Sequence, residues 1–243
     1  MIDVPPQRKV QMKDRLNLYG DVARPTEGGH GNDIASQRTD ELDLLAVANI
    51  TARMARSVGK STVRALDIGC GHGGQAARMA KAGAQVLAID VEDCAGSVDA
   101  QMCAQGVADG RWAFRQMGIE DIGSLGFKVD VIVCQRMIHY LRWGDALRAL
   151  NSLRLVAADG AMLYLSASGM HSELRDGYAD ECVDVRERFA PLREDRAQHH
   201  EILLPVCLYW QDELAALAGE AGWRVSRVFR SDFGNVKLVA CRD

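Results

Sequence analysis

Three short stretches hold residues whose types and spacing suit chemistry. The first is Leu66-Asp67-Ile68-Gly69-Cys70-Gly71-His72-Gly73-Gly74, where glycines follow an apolar run and precede a helical one. Glycines there let the backbone turn tightly and come close to a ligand. The second is Asp90, about 20 residues further on, at the end of the next apolar run. A carboxylate at that place is set to accept hydrogen bonds from the two hydroxyls of a ribose, which points to a nucleoside-containing cofactor. The third is Cys134-Gln-Arg-Met-Ile-His-Tyr-Leu141, which follows Val129-Asp-Val-Ile-Val133 and reads as the mouth of a buried strand. His139 is the residue type of a general base near neutrality. Arg136 is the type that clamps a carboxylate bidentately, and equally the type that makes a structural ion pair.

Positioning these residues takes strands and helices in alternation. Strands are expected over 63–68, 85–89, 112–116, 129–134 and 161–165, the last after a turn at Asp159-Gly160. Helices are expected over 74–81, closed by Gly83, and over 97–107, 143–157 and 211–221. Leu147, Leu150, Leu153 and Leu155 carry the apolar positions of the third of these helices. Strands at 223–229 and 235–240, joined by Gly234-Asn235, form a terminal hairpin. The sum is an α/β protein with a doubly wound, mostly parallel sheet and helices on both faces.

Residues 1–60 form an N-terminal helical or lid segment, with a helix over 37–56 and a Gly-rich stretch over 23–32 that reads as a linker or a lid. Residues 61–243 form the main domain. Its stretch 167–210 is too long for a plain loop and is expected to be a small subdomain walling an acceptor pocket. His171, Glu173, Tyr178, Arg186, Arg188, His199, His200 and Glu201 are its candidates for substrate selection. No metal is expected, because the adjacent residues His199, His200 and Glu201 rarely give facing ligands.

The formal net charge of −4 and pI of about 5.9 give no general attraction to phosphate backbones, which argues against a nucleic-acid partner. The 7 cysteines include no C-x-x-C pair, as expected of reduced thiols in a cytoplasmic protein. The first residues lack the apolar stretch of a signal peptide, and no apolar run is long enough for a membrane span.

Gly69, Gly71 and Gly74 also satisfy the dinucleotide pattern G-x-G-x-x-G. Asp67 argues against that reading, since a carboxylate just before the first glycine would crowd a pyrophosphate with like charge. Asp67, Ile68, Gly69, Gly71 and Gly73 instead resemble the first motif of the class I S-adenosylmethionine-dependent methyltransferases. Asp90 with Val91 matches that family's acid after the second strand, and the ending from Asp212 through Gly222-Trp223 to Val239 is also similar to it. The resemblance implies a Rossmann-like seven-stranded sheet with a C-terminal antiparallel hairpin strand, S-adenosylmethionine as cofactor, and methyl transfer by in-line displacement.

It further implies cofactor contacts at Asp67, Gly69, Cys70, Gly71, Gly73, Asp90, Val91, Cys134 and the pair Gly118 and Ile119. Gly118 falls where the family often has an acid for the adenine amino group, so Glu120 or Asp121 is a substitute donor of that carboxylate. Tyr19 and Arg38 are candidates for the cofactor's carboxylate. The strand mouth lacks the [N/D/S]-P-P-[Y/F/W] run frequent among methyltransferases of adenine, cytosine or glutamine amino groups. A small-molecule acceptor is therefore expected, with Arg136 and His139 beside it. RNA or protein methylation, a non-catalytic cofactor-binding role and a nicotinamide-dependent oxidoreductase are the alternatives.

Overall fold

The computed structural model describes residues 20–56 and 62–243, so Tyr19 lies outside the described residues. The apolar runs become one seven-stranded sheet: β1 (Arg64–Ile68), β2 (Gln85–Asp90), β3 (Trp112–Gln116), β4 (Val129–Gln135), β5 (Ala157–Ala167), β6 (Arg224–Arg230) and β7 (Val236–Cys241). Their order is β3-β2-β1-β4-β5-β7-β6, with β7 antiparallel to both its neighbours and all other pairs parallel. β1 and β4 are buried on both faces, which is why they read as near-continuous apolar runs.

Helices α1 (Glu41–Arg56), α2 (Gly74–Lys81) and α3 (Ala95–Ala104) cover one face, where Leu42, Ile50, Met79 and Met102 share a core with Val86 and Val131. α4 (Trp143–Val156), α6 (Gln211–Glu220) and the 3-10 segment Ile119–Ser124 cover the other, where Leu150 and Leu214 meet Leu66 and Ile132. The doubly wound sheet expected from the pattern is the one observed.

α1 starts later than its periodicity suggests, because Asp40 and Asp43 cap it reciprocally. Asp40 Oδ1 accepts the Leu42 and Asp43 N–H groups (2.8 and 3.1 Å), and Asp43 Oδ2 accepts the Asp40 N–H (3.0 Å). Leu42, Ala46 and Ile50 are fully buried against the sheet, and buried Lys237 of β7 reaches Asp40 (2.9 Å) and Glu41. This corrects the boundary drawn at residue 60: α1 is a layer of the main domain. Two smaller corrections concern α4 and β5. Leu155 is 67% exposed, and the buried face of α4 is built from Trp143, Ala146, Ala149, Leu150, Leu153 and Val156. The Asp159-Gly160 turn does not precede β5 but lies inside it as an irregularity, since Ala157 already pairs with Val129 before the register shifts.

The 167–210 stretch has a core of its own, made of Met170, Leu174, Tyr178, Leu192, Val206 and Leu208, with α5 (Glu194–His200) on its outer side. Arg188 pins this subdomain to α6. Its buried guanidinium donates to both oxygens of Glu213 (2.7 and 3.0 Å), to the Val183 carbonyl (2.9 Å) and to the Leu208 carbonyl (2.7 Å).

Candidate active site

β1 and β4 are neighbours, and the chain leaves them towards opposite edges of the sheet, which opens a crevice beyond their carboxyl ends. The glycine loop lies in that crevice. Gly69 and Cys70 donate their N–H groups to the Ile89 carbonyl (3.0 Å each), and Gly71 donates to Asp90 Oδ2 (2.9 Å). Gly69, Gly71 and Gly73 have φ of 65°, 50° and 81°, the left-handed region where a side chain is strained. Gly74 has a different reason to be glycine. A Cβ there would overlap the backbone of Ala35 and Ser36. The last glycine of the apparent G-x-G-x-x-G is thus demanded by the chain's own N-terminal strap.

The loop is ringed by carboxylates. Asp67 is buried, its Oδ2 has no hydrogen-bond partner, and the Ala76 N–H faces its carboxyl. Burial first, and then the nearby Asp43, push its pKa up to about 7. Asp43 is raised to about 6 by burial, although Arg78 (2.7 Å) and the Gln135 amide (2.5 Å) hold its two oxygens. Asp33 accepts the Ser36 N–H (3.1 Å) and the His72 N–H (3.3 Å), and lies against Gly71. Asp90 uses one oxygen for Gly71 and the other for the Glu92 N–H (3.2 Å), leaving each oxygen a further lone pair. The Cys70 thiol is held protonated by burial and by Asp67 and Asp90. Such a ring repels a phosphate and suits a cation.

Residues 20–36 form the strap that crosses this crevice. Gly28 lies against the Glu92 carboxylate after β2, Asp33 against His72 after β1, and the Asn32 carbonyl accepts from Arg136 after β4 (3.5 Å). On the far side the strap pairs with the insertion, His30 with Ile202, Gly31 N–H to the Glu201 carbonyl (2.9 Å) and Leu203 N–H to the Gly29 carbonyl (2.9 Å). The Gly-rich stretch read as linker or lid is docked here as a cover.

At the mouth of β4, Arg136 has φ 51°, rare for a residue with a Cβ, and is held there by its N–H to the Ser166 carbonyl (3.0 Å) and Oγ (3.1 Å). His139 differs from expectation. It is 1% exposed, its Nδ1 accepts the Ser168 N–H (3.4 Å), and its carbonyl accepts the Cys207 N–H (2.8 Å). Burial, then Arg136 and His30, lower its pKa to about 3. A histidine so placed ties β4 to the insertion and presents no surface to an acceptor, which corrects its candidacy as general base. Cys134 is fully buried in the core, so only its backbone can face a ligand. Arg38 is turned to Asp21, within the strap's own base (2.5 Å).

Val91 is about half exposed beside Asp90 (51%), Ile119 is buried at the start of its 3-10 segment, and the Glu120 carboxylate folds over Gly118 so closely that a Cβ there would overlap it. The pattern gave no sign of Asp33, Asp43 or Ser166 as site residues. Asp43 had one available signal, the D-x-x-D capping spacing with Asp40, but that spacing tells of a helix start and not of a partner across the crevice.

Residues 65–160 match the family model of a methyltransferase domain. That stretch of the chain is similar to a methyltransferase domain. No curated protein matches the sequence. Among solved structures, it is similar to an O-methyltransferase family protein from Burkholderia thailandensis (TM-score 0.59, 16% identity, covering 83% of this chain and 55% of that one). It is similar too to the magnesium protoporphyrin IX methyltransferase of Synechocystis with bound S-adenosylhomocysteine (0.58, 16%, 88% and 91%). A third is an S-adenosylmethionine-dependent methyltransferase from Methanosarcina mazei (0.59, 21%, 78% and 96%). At these identities the likeness is one of fold. This chain spans little more than half of the Burkholderia protein.

Proposed function

We propose that this chain is a methyltransferase that carries a methyl group from S-adenosylmethionine to a small-molecule acceptor. The observation that supports it is the carboxylate ring of Asp33, Asp43, Asp67 and Asp90 about a glycine loop, with Arg78 already paired to Asp43. A ligand with a sulfonium, an ammonium and no phosphate fits that charge. When bound, it supplies a methyl carbon open to in-line attack by an acceptor lone pair, the old bonding pair remaining on sulfur.

The chain's own groups have distinct tasks in this reading. Gly69, Cys70, Gly71 and Gly73 bring backbone against the ligand. Asp90 takes the ribose hydroxyls on its remaining lone pairs, and exposed Val91 supports the adenine. Asp67 braces α2 through Ala76 and offers Oδ2 to the ammonium side. Ile119 offers its N–H to adenine, and Glu120, lying over Gly118, takes the place of the acid missing at that position. Cys134 contributes backbone only. The strap excludes water from the crevice. Arg136, held in its unusual conformation, directs its charge to the acceptor side.

A small acceptor is supported by the strap's direct pairing with the insertion, which closes the mouth from above, and by the magnesium protoporphyrin IX named for one structural neighbour. No helix among the described residues is long and apolar enough to cross a membrane, and all seven cysteines are free thiols, which suits a reducing cytoplasm. Calorimetry with S-adenosylhomocysteine is the test. Saturable binding with one ligand per chain is expected, and none with a nicotinamide dinucleotide; the reverse pattern would sink the proposal.

A further inference from the structure

On the outer side of the insertion, Glu173, His199 and His200 bring one ligand atom each to within 4.8 Å of one another. Adjacent residues of a helix usually point apart. Here α5 ends at His200 and Glu201 turns into the left-handed region (φ 57°), and the two imidazoles meet edge to face at 4.8 Å. The carboxylate comes from the separate 3-10 segment Glu173–Arg175, not from Glu201. Glu173 Oε1 lies 2.9 Å from His200 Nε2, so the carboxylate and this imidazole already face each other.

We infer that Glu173, His199 and His200 bind a borderline divalent cation of the Zn2+ type. Two imidazoles and one carboxylate are a ligand set that such ions take, with a fourth position left for water. Ligand bonds of about 2.0–2.1 Å require the three atoms to close up somewhat, and Glu173 and His199 are exposed and have room to do so. The local charge favours a cation. Arg196 is shared between Glu173 Oε2 (2.8 Å) and Asp176 (2.7 Å), so two carboxylates face one guanidinium, and Glu173 keeps Oε1 towards the imidazoles.

The site also touches the strap. The His200 carbonyl accepts from Asn32 Nδ2 (3.3 Å), and the next carbonyl, Glu201, accepts from Gly31 (2.9 Å). A bound ion fixes the end of α5 and with it the edge on which the strap docks. This assignment does not depend on the proposed methyl transfer.

The test uses the tag-free full chain, stripped with a chelator and titrated with Co2+ while its absorption spectrum is recorded. A single saturating Co2+ per chain is expected, with visible ligand-field bands, no near-ultraviolet thiolate charge-transfer band, and a raised melting temperature. H199Q and E173Q, both at exposed positions, are each expected to lower the affinity about tenfold or more, with unchanged far-ultraviolet circular dichroism. No saturable binding, a thiolate band, or wild-type affinity in both variants would overturn the site.

Discussion

Around the glycine loop, Asp67 and Asp90 sit at the ends of β1 and β2, and the sheet beneath them is covered on both faces. Across the crevice, residues 167–210 keep a small core of their own and are tied to the rest by the Arg188–Glu213 pair and by scattered backbone bonds such as Cys207 N–H to the His139 carbonyl. The first half is positioned by backbone pairing, which many sequences can satisfy. The second adds no strand of its own to the sheet and is positioned by isolated bonds, among them the side-chain bonds of Arg188, which a few substitutions can re-aim. That division suits the proposed function, in which the cofactor is constant and the acceptor is the variable partner.

The largest expected effect separates the halves. Arg188→Ala strands the Glu213 carboxylate in a half-buried place and should cost about 3–5 kcal/mol, read in urea unfolding as early loss of the insertion. Affinity for S-adenosylhomocysteine should stay near wild type; if both fall together, the two halves are one cooperative unit. Asp90→Ala should act the other way, weakening cofactor binding by roughly 1–3 kcal/mol in calorimetry while the melting profile of the insertion is kept.

Asp67 sharpens the contrast through pH. Its folded pKa, about 7, lies above the ordinary 3.8, so the folded chain holds an extra proton between those values. Stability of the cofactor-free protein should therefore fall as pH rises from about 4 to 7, by up to about 1.4 kcal/mol per pH unit for this group. In Asp67→Asn the slope should shrink and end near pH 6, where Asp43 finishes its own titration. Thermal melts across that range would show it, and an unchanged slope would remove Asp67 from the account. The smallest effect is expected from Glu120→Gln, a loss of about 0.5–1.5 kcal/mol in cofactor affinity, since a neutral amide oxygen still accepts a hydrogen bond.

The same division explains what could be read in advance. Strand and helix order followed from apolar periodicity and glycine placement, and the bounds of α2 and β3 agree with the pattern. The motif residues Asp67, Gly69, Gly71, Gly73 and Asp90 meet in one loop because consecutive parallel strands place their ends side by side. The partners of that loop are far off in sequence. Asp33 reaches His72, and Gln135 reaches Asp43 over a separation of 92 residues, contacts with no local signature. His139 was misread because residue type suggests titration near neutrality, whereas burial decides it. Leu155 was misplaced because it falls off the helical stripe of Trp143, Ala146, Ala149, Leu150, Leu153 and Val156 and onto the outer face.

One feature of the sheet bears on how the chain is made. β7 is the last strand in sequence, yet it lies between β5 and β6, and buried Lys237 within it holds the start of α1 through Asp40 and Glu41. During synthesis β5 therefore keeps an open edge until the final hairpin emerges from the ribosome, and the first helix waits for its lysine across nearly the whole chain. The nascent protein carries a bare, apolar strand edge from the completion of β5 at Ala167 until β7 begins at Val236, the kind of surface on which chaperones act and at which premature termination leads to aggregation.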